Sequence, residues 1–121
     1  MNGSRPNRVG IEIKKVLSEY LLSGAIDEYD IVKPAMISMT DIVMSPDLTH
    51  AKIFISSMDN NVSNEKCLEF LENHVSKLRY YLGRTMKLKF VPELRFIIDN
   101  SFEYGKKIDS LLNSLHIEKN S

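Results

Sequence analysis

Near the start of the chain, apolar residues recur at helical spacing. Val9, Ile13, Val16, Leu17 and Tyr20 fall at i, i+4, i+7, i+8 and i+11, which predicts an amphipathic helix buried along one stripe. Pro6 suits its first turn, where the missing N–H has no partner to lose. Gly24 and the acidic run Asp27–Asp30 end it. After Pro34 the period falls to two and then slips, with Ile37 and Met39 in one phase and Ile42 and Met44 in the other. A strand with one extra residue near Thr40–Asp41 reproduces that slip. Pro46 and Asp47 mark a turn. Ala51, Ile53 and Ile55 then alternate with Lys52, Phe54 and Ser56, which predicts the second strand of an antiparallel hairpin.

The polar stretch from Met58 ends in a candidate helix cap, Ser63 or Asn64. Leu68, Leu71, Val75, Leu78 and Leu82 follow at spacings of 3, 4, 3 and 4, the stripe of a second helix. Its opposite face carries Asn73, Lys77, Tyr80 and Arg84, and Gly83 is expected to loosen or end it. Lys89–Pro92 reads as an extended crossover, because the residue before proline avoids the helical region. Phe90 and Pro92 are assigned to packing and chain direction. Leu94, Phe96 and Ile98 alternate with Arg95, Ile97 and Asp99 in a third strand. Asn100 or Ser101 caps a last helix, with Asn100 and Glu103 at capping-box spacing and Ile108, Leu111, Leu112 and Leu115 as its stripe. The order is α-β-β-α-β-α, an α+β domain with a three-stranded sheet and helices packed on one face. The helix between the second and third strands permits parallel pairing. The expected layout is a flexible arm over residues 1–5, one domain over 6–115 and a disordered tail over 116–121.

Charge changes this picture through its distribution rather than its sum. The 121-residue chain carries 16 basic and 16 acidic residues, a net charge of zero. Yet Arg5, Arg8, Lys14 and Lys15 face only Glu12 within their stretch, and Lys77, Arg79, Arg84, Lys87, Lys89 and Arg95 face only Glu93. Two basic segments flanking an acidic one permit a one-sided electrostatic footprint. Arg5 and Arg8 are expected to precede the first helix, where an arm could reach phosphates. Lys77 and Arg84 share the exposed stripe of the long helix. Tyr80 lies between them, more simply read as lying on its helix than as stacking on a base. Lys87 and Lys89 follow in the crossover. Arg79 has two readings, an RNA contact or an ion pair with Glu69 or Glu72. Lys52, Lys106 and Lys107 are read as solvated.

Catalytic and metal chemistry find little support. His50, His74 and His116 lack a Cys or His at ligand spacing, and no phosphate loop, GxSxG or HExxH is present. Cys67 falls on an apolar helical position and reads as a small buried hydrophobe. The first ten residues have no apolar core of a secretory signal, and no apolar run is long enough for a membrane span. A soluble cytoplasmic protein, with no cofactor and no metal, is the expectation.

Four stretches in order carry a resemblance: "RPNRVGIEIKKVLSEYLL", "ISMTDIVMSPDLTHAKIFIS", "LRYYLGRTMKLKFVPELRFIIDNS" and "GKKIDSLLNSL". Together they resemble bacterial ribosome-binding factor A over about Arg5 to Leu115. The resemblance implies a type II KH-like domain whose second helix is kinked, followed here by a C-terminal helix. It places the kink at His74, Val75 and Ser76, where the family usually has Ala-x-Gly. Ser76 could bend the helix by bonding back to a carbonyl. The resemblance implies a non-catalytic assembly factor. It would bind the immature small ribosomal subunit near its decoding-centre neck and assist maturation of small-subunit rRNA, notably in the cold. It would act as a cytoplasmic monomer with no membrane partner and no small-molecule substrate. The RNA-binding set is then Arg5, Arg8, Lys77, Arg79, Arg84, Lys87 and Lys89. The alternative is a protein-interaction module that pairs through an exposed sheet edge.

Overall fold

Helix α1 (Arg5–Leu22) starts at Ser4, whose hydroxyl accepts a hydrogen bond from the Asn7 N–H at 3.2 Å. Arg5 and Arg8 therefore lie inside the helix rather than on an arm before it. The helix starts earlier than the apolar stripe suggests because the Ser4 hydroxyl caps it, and Pro6 takes the first turn as expected. The structure, a computed structural model, describes residues 4–26 and 31–120, and the side chains among these except those of 102, 103 and 116–120. The acidic run Asp27–Asp30 and the expected Asn100–Glu103 pairing lie outside that description. The α1 stripe is buried at Ile13, Val16, Leu17 and Leu21. Gly24, at φ 79°, ends the helix in the left-handed region that glycine adopts without penalty.

The sheet has three strands, β1 (Ile37–Met44), β2 (His50–Ser57) and β3 (Glu93–Ile98), in the order β1-β2-β3. β1 and β2 are antiparallel, and the register steps from Met39↔Ile55 to Asp41↔Phe54 with Thr40 as the extra residue. That bulge lets Ile37, Met39, Ile42 and Met44 all turn toward the core despite the phase slip. β2 and β3 pair in parallel, Ala51 opposite Leu94 and Ile53 opposite Phe96. Between them come α2 (Asn64–Asn73) and α3 (Val75–Met86). The Ser63 hydroxyl caps α2, accepting from the Lys66 N–H at 3.2 Å. Asn64 instead takes the Ser57 N–H at 2.8 Å, fastening the helix start to the end of β2.

Helices α1, α2 and α3 cover one face of this sheet, and Ile13, Leu17, Ile53, Ile55, Leu71, Leu78 and Leu82 fill the space between. Cys67 is buried there, and burial pushes its thiol up. The architecture is a type II KH-like domain with an added C-terminal helix, α4 (Ser101–Asn120). Asp99 starts α4 by accepting the Ser101 N–H at 2.8 Å, and its second oxygen receives the Thr40 hydroxyl at 2.5 Å. Those bonds, the one involving Ser101 first, hold the Asp99 carboxyl below the usual carboxylate range. The α4 stripe stays exposed at Leu111, Leu112 and Leu115, because the core-side face is already filled. The helix continues to Asn120, past the Leu115 boundary that the sequence suggests.

Gly83 neither loosens nor ends α3, which runs three residues further. Its role is close approach: a Cβ built there would lie 2.7 Å from Val91 Cγ2. Glycine in a helix costs about 1 kcal/mol relative to alanine, and here it makes room for the crossover. Gly83→Ala is therefore expected to destabilise the fold although alanine is the better helix former. Overpacking of roughly 1–3 kcal/mol outweighs the propensity gain. Thermal unfolding of Gly83→Ala and of Gly83→Ala with Val91→Ala checks this. The double variant should recover part of the lost Tm.

Candidate nucleic-acid interface

The expected kink is a full break at His74, whose backbone (φ −111°, ψ 13°) leaves the helical region and ends α2 before α3 begins. His74 also holds the break through its ring. Nδ1 lies 2.8 Å from the Phe70 carbonyl and the ring packs on Phe70 at a centroid distance of 4.2 Å. A carbonyl only accepts, so Nδ1 carries a proton. The bend is thus made by His74 and Phe70, not by Ser76 bonding back. Val75 and Ser76 open the new helix. A ring occupies the bend where a small residue would let an RNA backbone come close.

The basic residues divide by what their donors already do. Arg79 is half-buried. Its Nε donates to the Pro92 carbonyl at 3.1 Å and its Nη2 to the Val91 carbonyl at 2.9 Å. It pairs with neither Glu69 nor Glu72, and it is not part of the outward basic set. The guanidinium fork fastens the crossover to the side of α3. Arg84 remains outside, 5.8 Å above the exposed Tyr80 ring, with Nη1 3.4 Å from the tyrosine hydroxyl. Lys77, Tyr80 and Arg84 line a cavity of about 460 Å³ together with Tyr20 and Tyr81. Those two rings stack at 4.2 Å and join α1 to α3.

A second cavity, about 320 Å³, brings Arg5 from the start of α1 to Lys89 in the crossover. These residues are 84 positions apart in sequence. Its floor is apolar, with Val9 and Leu88 packed against the core. The turn between β1 and β2 closes it. There Asp47 Oδ1 accepts from the Thr49 hydroxyl at 2.7 Å, the Ser45 hydroxyl at 2.8 Å and the Thr49 N–H at 3.1 Å. Those bonds lower the Asp47 carboxyl to about 2, so the acid serves the turn. Lys87 caps α3 in the left-handed conformation, at φ 52°. Arg5, Arg8, Lys87 and Lys89 have no ion-pair partner among the described residues.

The sequence assigns Phe90 to packing, but the structure puts it outside, 76% exposed, with Lys89 Nζ 5.7 Å from its ring centre. The left-handed turn at Lys87 breaks the alternation that would have buried it, and Val91 takes the inward place against Gly83. Among the described residues no group of His, Cys, Asp and Glu could hold a metal ion, and no helix is long and apolar enough to cross a membrane.

Comparison with known proteins adds four findings. The family model described as ribosome-binding factor A matches residues 5–112. Ribosome-binding factor A of Zymomonas mobilis is 38% identical over 115 residues, covering 95% of this chain and 80% of that protein. Among solved structures, the crystal structure of ribosome-binding factor A from Thermus thermophilus superposes with a TM-score of 0.64 at 15% identity, over 77% of this chain and 93% of that one. A homology model of the Thermus thermophilus protein, fitted into a cryo-EM map of a 30S complex, gives a TM-score of 0.60 at 16% identity over the same shares.

Proposed function

The chain belongs to the ribosome-binding factor A family, and from that membership we propose that it binds the small ribosomal subunit as a non-catalytic assembly factor. It holds immature small-subunit rRNA in a conformation that can mature, acting as a monomer in the cytoplasm and mattering most in the cold. The relative fitted into a 30S complex shares its fold and supports this partner. The observation that carries the reading is the meeting of two basic segments. Arg5 and Lys89 line one cavity. Arg8 follows Arg5 by about one helical turn, and Lys87 precedes Lys89 by two residues. Lys77 and Arg84 line another cavity, beside exposed Tyr80.

With His74 filling the bend, RNA contact falls to these side chains rather than to the backbone there. Recognition then works by charge and shape, not by base sequence. The sheet-edge alternative is weaker, because β1, one of the two edges, carries the Thr40 bulge that interrupts a regular ladder. Salt separates the two readings. Six phosphate contacts, from Arg5, Arg8, Lys77, Arg84, Lys87 and Lys89, give a log Kd against log salt slope of magnitude up to about 5. A salt titration of binding to purified small subunits measures it. A slope near zero would favour strand addition and sink this reading.

A further inference from the structure

Resting on the RNA-binding reading, we propose that the cavity between the β1–β2 turn and the α3–β3 crossover accepts one unstacked base of single-stranded RNA, stacked on Phe90. The flanking phosphates lie on Arg5 and Lys89. Three independent features meet at this place. The first is the Phe90 ring, 76% exposed beside an apolar cavity of about 320 Å³, near the lower end of ligand-pocket sizes. A solvated phenylalanine ring set against an apolar hollow is a stacking platform without an occupant's specificity, since every base has a π-face. The second is charge. Arg5 and Lys89 line the same hollow as the apolar Leu48 and Leu88, the pattern of a base flanked by phosphates. The acid in that lining, Asp47, is held by Thr49 and Ser45 within its own turn.

The third is backbone. The two segments that form the walls each contain a non-glycine residue at positive φ, Leu48 at 64° and Lys87 at 52°. Such strain persists where the surrounding structure fixes it, and it clusters at binding sites. Here it orients both walls. The left-handed Lys87 turns the crossover so that Phe90 faces out, and the left-handed Leu48 turns the hairpin tip so that Leu48 lines the hollow. A duplex cannot use this site, because its bases are stacked on one another; a single strand can.

The chain has no tryptophan but five tyrosines, so Phe90→Trp places the sole tryptophan at the platform, excited at the red edge where tyrosine does not absorb. The full-length variant is titrated with a single-stranded oligoadenylate, with an RNA duplex of equal length, and with purified small subunits. The emission is expected to be quenched by the single strand and by subunits, and not by the duplex. Phe90→Ala, whose exposed position leaves the Tm unchanged, is expected to weaken oligoadenylate binding about 5- to 150-fold, the range for one stacked base. Unquenched emission together with wild-type affinity in Phe90→Ala, while subunits still bind, would overturn the base site and leave the RNA-binding reading standing. Equal quenching by duplex would overturn it too. Loss of subunit binding in Phe90→Ala with no response to oligoadenylate would make Phe90 a contact to ribosomal protein, and would also overturn it. Failure of the wild-type protein to bind subunits at all would remove the reading on which it rests.

Discussion

Lys87→Glu combined with Lys89→Glu is expected to raise the Kd for small ribosomal subunits about 100-fold while leaving the melting temperature at the wild-type value. Both lysines are exposed, and neither is in an ion pair among the described residues, so their replacement breaks no salt bridge and removes only the solvent-exposed contact of Lys89 with the Phe90 ring. Each charge-assisted contact to phosphate contributes roughly 1.5 kcal/mol, and two of them together amount to about two decades in Kd. Reversal adds repulsion to that loss. The salt slope should flatten by about 2, one unit for each phosphate contact removed. Equilibrium binding at several salt concentrations, with a thermal melt of the same samples, tests it. Unchanged binding in a folded double variant would remove the crossover from the interface.

Arg79→Ala is expected to behave in the opposite way, losing stability first. The Arg79 fork makes two bonds to the Val91 and Pro92 carbonyls, which hold the crossover on α3 just before β3 begins. Hydrogen bonds to a charged donor contribute about 1.5–3 kcal/mol each, and truncation leaves both carbonyls without that partner. A net loss of roughly 3 kcal/mol lowers Tm by about 12 °C in a domain of this size. Arg79→Lys should recover little, since an ammonium cannot reproduce the planar fork. Subunit affinity, measured well below the variant's Tm, should stay near wild type. A stable Arg79→Ala that binds RNA poorly would reverse the assignment and return Arg79 to the outward set.

How much of this was legible in the sequence depends on the range of the signal. The α1 stripe and the β1 bulge were readable because burial imposes a period on neighbouring residues, and a bulge changes that period within eight residues. The break at His74 was not readable as a break. Leu71, Val75 and Leu78 keep their 4 and 3 spacing straight across it, since both helices bury the same face; only the family resemblance marked the place. Gly83 was visible as a helix weakener, but its cause, Val91 pressing from the crossover, is a tertiary contact with no local trace. Arg79 differs from Lys77 and Arg84 only in pointing along the side of α3, and nothing nearby names the carbonyls it reaches. Phe90 looked like core because it is aromatic and lies between Leu88 and Pro92. Its exposure follows from the left-handed turn at Lys87, a conformation that lysine rarely adopts and that sequence does not announce. The site shares this limit. The two basic segments were plain, while their meeting at one cavity through Arg5 and Lys89 required the fold.

The central claim, a charge-driven association with the small ribosomal subunit, is tested most directly by co-sedimentation. Purified protein is run with separated small and large subunits on density gradients at low and at moderately high salt. Migration with small subunits at low salt, its loss at high salt, and absence from the large-subunit fraction are the predicted result. Folded protein that stays at the top of the gradient at low salt, or that follows both subunits equally, would contradict it.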